Sequence, residues 1–283
     1  MVKRDATELR TDPADGLPGL AVGAWAQDKH KLVERYVDIT SATRAKFLGP
    51  GKAGATFVDL FCSYGRSYIR ETNTWIDGSA LVAWKTSVGG GSPFSSVYLA
   101  DTDASARKAC AERLRSLGAT SIELDGDAVA AAEHLIGHLD PYALHTVFID
   151  PYGLGPLDFE IFRLLSRLRR VDLMIHISTM DFQRNLSSYM SATRSELDNF
   201  APGWREVIRL GGDPSRTRAD ILEYWKTLIE KLGVWPATEM KQIKGPGSQR
   251  LYWIALASKH PLGHKFWKIA SNPEKQGNLF DNY

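Results

Sequence analysis

The fold is decided by residues 96–125, whose sequence is SVYLADTDASARKACAERLRSLGATSIELD. The apolar runs at its two ends, 96–101 and 121–125, have the composition of buried strands, and the segment 105–117 has helical periodicity. A strand, a helix and a second strand joined by short loops are typical of a parallel pair with a right-handed crossover. This stretch therefore predicts an α/β fold.

The same alternation extends to both sides of that stretch. Further strands are predicted at 56–61, 145–150 and 171–178. Further helices are predicted at 127–139 and 158–168. Strands with such continuous apolar runs suit a parallel sheet that is buried on both faces.

Two final strand-like runs, 235–243 and 250–258, are joined by Lys-Gly-Pro-Gly-Ser-Gln and predict an antiparallel hairpin. Parallel strands followed by such a hairpin are typical of one class of Rossmann-like protein. The prediction is therefore the class I S-adenosylmethionine-dependent methyltransferase fold, with a mostly parallel sheet closed by an antiparallel C-terminal hairpin and with extra helices.

The domain organisation follows from the composition along the chain. Residues 1–24, of which 1–20 are charged and rich in Pro and Gly, predict a flexible N-terminal arm. A single Rossmann-like domain of methyltransferase type is expected at 25–270, with a helical brace at 25–48 and a helical insertion at 181–232. Residues 271–283 predict a polar tail.

The bulk composition excludes several classes of protein. The formal net charge of +2 is close to neutral, so any nucleic-acid surface must be a local patch. Cys62 and Cys110 lack metal-type spacing, and His134 with His138 has no third ligand of suitable spacing, so no metal site is predicted. The chain contains no leader-like apolar run, no membrane-spanning run and no phosphate-loop or serine-hydrolase motif, so we expect a cytoplasmic protein without a membrane partner.

The first strand ends in an acid and a glycine-containing turn. Ligands of open α/β sheets bind at the carboxyl ends of the strands, so Asp59 is a candidate contact for the amino group of a methionine-adenosyl cofactor. The other candidate cofactor residues of this turn are Phe61, Ser63, Tyr64 and Gly65. An ordinary strand-to-helix turn explains the same residues about equally well.

The next two strands also end in acids. Asp101 is assigned to a ribose diol, although it lies further from Asp59 than the roughly 20 residues usual in a compact unit. A helix and Gly-rich loop at 77–93 are expected to supply the added length. Asp103 is interpreted as a helix cap, whereas Asp127 is assigned to an adenine amine with helix capping as an equal alternative.

The fourth strand ends in Asp150-Pro151-Tyr152-Gly153, which resembles the Asp-Pro-Pro-Tyr motif of amino-methyltransferases. The Asp-Pro-Phe-Gly form of tRNA guanine-N2 dimethyltransferases is a closer match. This resemblance implies that Asp150 and the Pro151 carbonyl accept the hydrogens of an exocyclic base amine while Tyr152 stacks on the base. The alternative is an Asp-Pro turn that merely ends a strand.

The Asp-Leu-Phe-Cys segment at 59–62 is similar to a segment of cytosine C5-methyltransferases. In those enzymes the nucleophilic cysteine follows a proline, and neither cysteine of this chain does, so this class of enzyme is not expected.

Taken together, these positions resemble the three-Cys-motif partner (TcmP) family. The matching segments are 25–36, 58–65, 99–103, 148–153 and 257–262. The family usually has Gly-Pro-Gly where this chain has Ser63-Tyr64-Gly65. The resemblance implies a methyltransferase-like bacterial protein that works with a radical-SAM-like protein bearing a three-cysteine motif. It also implies a place for Lys29 and His30 at the mouth of a pocket, with a capped and solvated helix start as the alternative.

Two functions are compatible with the sequence. The first is an S-adenosylmethionine-dependent methyltransferase that modifies an exocyclic base amine in nucleic acid. The alternative is a non-catalytic Rossmann-type partner or specificity subunit of a nucleic-acid repair or modification complex. Its phosphate-binding surface would be the basic stretch of Arg163, Arg167, Arg169 and Arg170, although a charge run on one helix is more often simply solvated.

Overall fold

The computed structural model describes residues 8–209, 213–245 and 249–272. The chain forms two compact units. Unit 1 contains residues 1–131 and 142–148, and unit 2 contains residues 132–141 and 149–283.

The strands carried by unit 1 are β1 (Leu9–Thr11), β2 (Pro18–Val22), β3 (Ala55–Asp59), β4 (Arg66–Ile69), β5 (Thr74–Asp77), β6 (Ser96–Ala100), β7 (Ser121–Leu124) and β8 (Leu144–Ile149). Its helices are α1 (Ala26–Ile39), α2 (Ser41–Ala45), α3 (Ser79–Gly89) and α4 (Ala104–Ser116). Helix α5 (Ala128–His138) contains residues of both units.

The central feature of unit 1 is a parallel sheet in the order β8, β3, β6, β7. Val58 of β3 lies opposite Val147 of β8 and Tyr98 of β6, and every residue of β3 is buried. When the four strands are numbered along the chain, their order is 3-2-1-4, which is the order of Rossmann folds. The predicted strands at 56–61, 96–101, 121–125 and 145–150 are thus confirmed, together with the Rossmann-like α/β class.

A second sheet of unit 1, in the order β1, β2, β4, β5, corrects the prediction of a flexible arm at 1–24 for residues 8–24, whereas residues 1–7 lie outside the described residues. Strand β2 pairs in parallel with β4, and β1 pairs with β2. The buried guanidinium of Arg113, on α4, donates to the carbonyl oxygens of Leu17 and Pro18 and forms an ion pair with Asp15. These contacts attach the N-terminal strands to the body of the unit.

Unit 2 contains the strands β9 (Val171–Ser178), β10 (Trp235–Pro236), β11 (Lys241–Lys244) and β12 (Arg250–Ser258). Its helices are α6 (Phe159–Leu165), α7 (Thr179–Ser191), α8 (Glu196–Phe200), α9 (Trp204–Val207), α10 (Pro214–Lys231) and α11 (Pro261–Ser271). Strand β12 is antiparallel to β9, β10 and β11, so the predicted antiparallel closure is confirmed. The predicted strand at 235–243 is divided into β10 and β11 by residues 237–240, which are not in a strand. Two predicted segments lie partly outside the described residues: residues 246–248 of the connection between the last two strands, and residues 273–283 of the tail.

An aromatic cluster holds the helices of unit 2 together. The rings of Phe200 and Trp225 stack with centroids 5.3 Å apart, and Phe162 meets Trp225 edge-on at 5.4 Å. All three side chains are fully buried. Burial of large aromatic side chains dominates the energetics of such cores, so these contacts join α6 to α8 and α10, which belong to the predicted helical insertion at 181–232.

Side-chain caps set where several helices begin. Asp103 caps α4, Asp158 caps α6, Ser178 caps α7, Asp213 caps α10 and His260 caps α11. Each accepts a hydrogen bond from a backbone N–H of the first turn, which otherwise lacks an intrahelical partner. Within the described residues, no helix has the length and apolar character needed to cross a membrane.

Candidate functional site

The carboxylate of Asp59, at the end of β3, is buried and hydrogen-bonded to other residues of the protein. The Asp59 side chain is fully buried, and its carboxylate accepts hydrogen bonds from the Phe61 N–H at 3.2 Å and from the Ser79 hydroxyl. It therefore links the turn after β3 to the first residue of α3. The contact of Asp59 with a cofactor amino group stays a prediction, and in this structure its buried carboxylate holds the turn after β3.

Asp101 joins the ends of β3 and β6. Its Oδ2 accepts the Ser63 N–H at 3.0 Å, and its Oδ1 accepts the Asp103 N–H at 2.9 Å. Ser63 has a φ of 49°, in the left-handed region that L residues rarely adopt, and this conformation turns its N–H toward Asp101. Asp101 remains partly exposed. A carboxylate has about four acceptor positions, so Asp101 retains the capacity to bind a ligand hydroxyl.

Tyr64 and Gly65 pack against neighbouring elements of unit 1. The Tyr64 side chain is buried, and its hydroxyl donates to Asp103 at 2.8 Å. Gly65 has a φ of 78°, and a Cβ atom there would lie 3.0 Å from Cys110 and Leu81. Glycine is thus required by close packing against helices α3 and α4, and the contact of Gly65 with a cofactor stays a prediction. Phe61, partly buried, begins the same turn.

The acids after β6 and β7 cap helices. Asp103 accepts hydrogen bonds from Ser105 and Ala106, which confirms the predicted cap. The Ser105 hydroxyl, followed by that of Tyr64, holds the pKa of the Asp103 carboxyl below its usual range. Asp127 accepts the N–H groups of Val129 and Ala130 at 3.0 and 2.9 Å. Of the two roles open for Asp127, the geometry favours the cap.

The loop after β8 carries three different chemical groups in consecutive residues. Asp150 directly follows the strand, and its side chain is 13% exposed. Pro151 is buried, and the Tyr152 side chain is 76% exposed. The loop therefore offers a carboxylate, a carbonyl and an exposed aromatic ring, which are the groups predicted to hold a base amine.

A histidine of β9 supports this loop. His176 Nδ1 lies 2.8 Å from the Pro151 carbonyl oxygen and 3.5 Å from Asp150 Oδ1. Its ring meets Tyr252 of β12 edge-on, with centroids 4.3 Å apart. Sequence reasoning treated His176 only as a residue of the predicted strand. A polar residue within the apolar run VDLMIHIS was the signal that could have identified it.

The other end of the loop is held by the first turn of α7. Asp181 Oδ2 accepts the Leu154 N–H at 2.9 Å and the Tyr189 hydroxyl at 3.0 Å, and Oδ1 accepts the Asn185 amide at 2.6 Å. Burial, followed by the negative charge of Asp181, raises the pKa of Tyr189. The tyrosine therefore stays protonated as a donor, and Asp181 becomes a second fixed support that the sequence did not reveal.

Four further residues named in the sequence analysis lie outside the loop that follows β8: Cys62, Cys110, His30 and Arg163. Cys62 and Cys110 are buried, and burial followed by the neighbouring Cys110 raises the pKa of Cys62, which disfavours the nucleophilic thiolate. His30 lines a groove of about 360 Å³ with Gln27 and Ile76. Among the basic residues proposed to bind phosphate, Arg163 forms an ion pair with Glu160.

Comparison with known proteins does not assign this chain to a family. No family model matches the chain, and no curated protein matches it. Among solved structures, TYW2 from M. jannaschii in complex with AdoMet aligns at a TM-score of 0.43 and 11% identity, over 91% of this chain and 88% of that one. Cofactor-bound Rv0187 from MTB aligns at 0.46 and 12%, over 87% and 84%. LPL1258 from Legionella pneumophila aligns at 0.45 and 9%, over 86% and 93%. Likenesses with TM-scores below 0.5 do not carry a function over to this chain.

Proposed function

We propose that this protein is an S-adenosylmethionine-dependent methyltransferase that modifies an exocyclic amine of a nucleic-acid base. The observation that carries the proposal is the loop Asp150-Pro151-Tyr152, which presents a carboxylate, a carbonyl and an exposed aromatic ring directly after β8. The carboxyl ends of parallel strands are where ligands of this fold class bind.

The three groups match the chemistry of an exocyclic amine. Such an amine is a poor nucleophile because its lone pair is conjugated with the ring. Two acceptors, the Asp150 carboxylate and the Pro151 carbonyl, favour the pyramidal form in which that lone pair is available. A carbonyl oxygen has two lone pairs, so the Pro151 oxygen can accept from His176 and from the amine together. Tyr152 supplies a face on which the base stacks.

The residues of unit 1 fit the cofactor only in part. Asp101 is partly exposed and keeps acceptor capacity beyond its two backbone contacts, as a ribose diol requires. The contacts of Asp59 with the cofactor amino group and of Asp127 with its adenine amine stay predictions, since Asp59 is buried and Asp127 caps α5 through Oδ1. We propose that Asp101 and the turn 61–65 hold S-adenosylmethionine. The bound cofactor supplies a methyl group on a sulfonium that the amine nitrogen can attack.

Calorimetry and isotope transfer test this proposal. Titration with S-adenosylmethionine should give saturable binding, and tritium from the labelled methyl group should enter bulk RNA or DNA from the source cells. Binding without transfer to either polymer would contradict the substrate class. Absence of both would contradict the enzyme and favour the non-catalytic specificity subunit.

The protein partner is proposed from the family resemblance alone. We propose that the chain works in the cytoplasm of a bacterium with a radical-SAM-like protein that bears a three-cysteine motif. Co-purification of a tagged chain from its own cells, followed by mass spectrometry, should recover such a protein. Recovery of the chain without it would contradict the partnership and leave the methyltransferase proposal untouched.

A further inference from the structure

His176 is a buried titratable residue that the proposed chemistry does not use as a reactant. It lies on β9, opposite Ile254 of β12, and only 7% of its surface is exposed. Its neighbours on the strand are apolar and equally buried. Buried polar side chains are costly unless they are hydrogen-bonded, so the contacts of this ring explain its presence.

Those contacts specify where the ring carries a hydrogen. His176 Nδ1 lies 2.8 Å from the Pro151 carbonyl oxygen. A carbonyl oxygen can only accept, so Nδ1 must be the donor. The same nitrogen lies 3.5 Å from Asp150 Oδ1, which adds an electrostatic attraction to the carboxylate rather than a second full hydrogen bond.

The ring itself is fixed by its surroundings. Tyr252 packs edge-on against it at 4.3 Å and 70°, and both side chains lie on neighbouring strands of one antiparallel ladder. Edge-to-face packing with an aromatic ring restricts rotation of the imidazole. This packing and the hydrogen bond to Pro151 together direct Nδ1 toward the loop that follows β8.

From this geometry we propose that His176 is a positioning residue that fixes the Asp150 carboxylate and the Pro151 carbonyl as a pair of amine acceptors. The inference rests on the proposed function, because it assigns His176 to the same site. An acceptor pair that drifts by about 1 Å loses on the order of 100-fold in rate. His176 acts through these two groups and need not touch the substrate.

Two substitutions separate positioning from packing. His176→Asn keeps an N–H donor near the place of Nδ1, whereas His176→Leu keeps similar bulk without a donor. With tritiated S-adenosylmethionine and bulk RNA, His176→Leu should lower kcat about 10- to 100-fold while the KM for RNA and the Kd for the cofactor change less than about threefold. His176→Asn should recover most of kcat. Equal loss in both variants, or a change confined to KM, would overturn the proposal.

Nuclear magnetic resonance tests the contact without any activity. In protein labelled with ¹⁵N-histidine, a two-bond ¹H–¹⁵N correlation should show one ring with hydrogen on Nδ1, assigned by its loss in His176→Asn. Asp150→Asn should shift that resonance. Hydrogen on Nε2 only would overturn the proposal. If the Nδ1–H form is present and the wild-type protein transfers no methyl group, the positioning contact stands and the proposed function fails.

Discussion

Two Asp-Pro-Tyr tripeptides flank strand β8, and only one of them has the features of a site. Asp140-Pro141-Tyr142 precedes the strand, and Asp150-Pro151-Tyr152 follows it. Both tyrosines are exposed, at 59% and 76%. Pro141 is exposed as well, whereas Pro151 is buried with its carbonyl oxygen 2.8 Å from His176 Nδ1.

The difference teaches that the tripeptide alone does not make a binding site. The second copy stands at the carboxyl end of a parallel strand, where ligands of such sheets bind, and the first copy stands at the opposite end of the same strand. Histidine and aspartate side chains from β9 and α7 hold the second loop at both of its ends. Substitutions made in parallel in the two copies therefore separate site chemistry from general effects.

The largest expected effect comes from the two aspartates. Asp150→Asn should lower methyl transfer by about 100-fold or more, because the amide replaces one carboxylate oxygen by a donor that repels the amine hydrogens. Asp140→Asn should leave transfer within about twofold. The measurement is the initial rate with tritiated S-adenosylmethionine and bulk RNA, with cofactor affinity measured by calorimetry. Similar rate losses in both variants would remove the distinction between the two copies.

The two tyrosines should differ by a smaller factor. Tyr152→Ala should raise the KM for RNA about 10-fold, since stacking of a base on an aromatic ring contributes about 1–3 kcal/mol. Tyr142→Ala should leave this KM within about twofold, although its ring is comparably exposed. Steady-state kinetics with varied RNA decides between them. An unchanged KM in Tyr152→Ala would mean that the base does not stack on this ring.

Asp101 and Asp103 form a second pair of aspartates, and substituting each of them tests the proposed binding of the cofactor. Asp101→Asn should weaken S-adenosylmethionine binding about 10-fold, because a hydrogen bond to a charged acceptor contributes about 1.5–3 kcal/mol. Asp103→Asn should bind within about threefold of wild type, since asparagine caps helices as well as aspartate does. Calorimetric titration of both variants supplies the comparison. Equal weakening would indicate that the whole turn, rather than Asp101, recognises the cofactor.

The smallest expected effect is a change in how the free energy of unfolding depends on pH when Asp103 is substituted. The pKa of Asp103 lies below its usual range because the Ser105 hydroxyl, then Tyr64 and the backbone of α4, bind the charged carboxylate. A depressed pKa in the folded state stabilises the protein above the unfolded-state pKa, and this contribution is lost as the pH falls through the folded-state value. Asp103→Asn should therefore lose less stability between about pH 5 and pH 3 than wild type does. Urea unfolding at stepped pH measures the slopes, and equal slopes would contradict this assignment.

The α/β core was predictable because its signal is local. Strands β3 and β8 are nearly continuous buried runs, and the crossover helices have their own periodicity. Strands β1, β2, β4 and β5 were missed because they are three to five residues long and only half-buried. The segment between β1 and β2 is also held by Arg113, which lies far along the chain from residues 9–22.

The candidate site was predictable in its positions but not in its details. Acids at strand ends are visible in the sequence, but the fate of each carboxylate depends on distant partners. The Asp59 carboxylate accepts a hydrogen bond from Ser79, whereas Asp101 accepts one from the backbone of Ser63 and stays partly exposed. His176 lies 25 residues from Pro151, so their contact requires knowledge of the fold.

The most direct test of the account is the position of the transferred methyl group. Wild-type protein and the two aspartate variants, Asp140→Asn and Asp150→Asn, are incubated with bulk RNA and DNA and with S-adenosylmethionine that carries a deuterated methyl group. Mass spectrometry of the released nucleosides should then find the label on an exocyclic base nitrogen with wild type and Asp140→Asn, and only at trace level with Asp150→Asn. Label on a ring carbon or a ribose oxygen, or equal labelling by Asp150→Asn, would contradict the account.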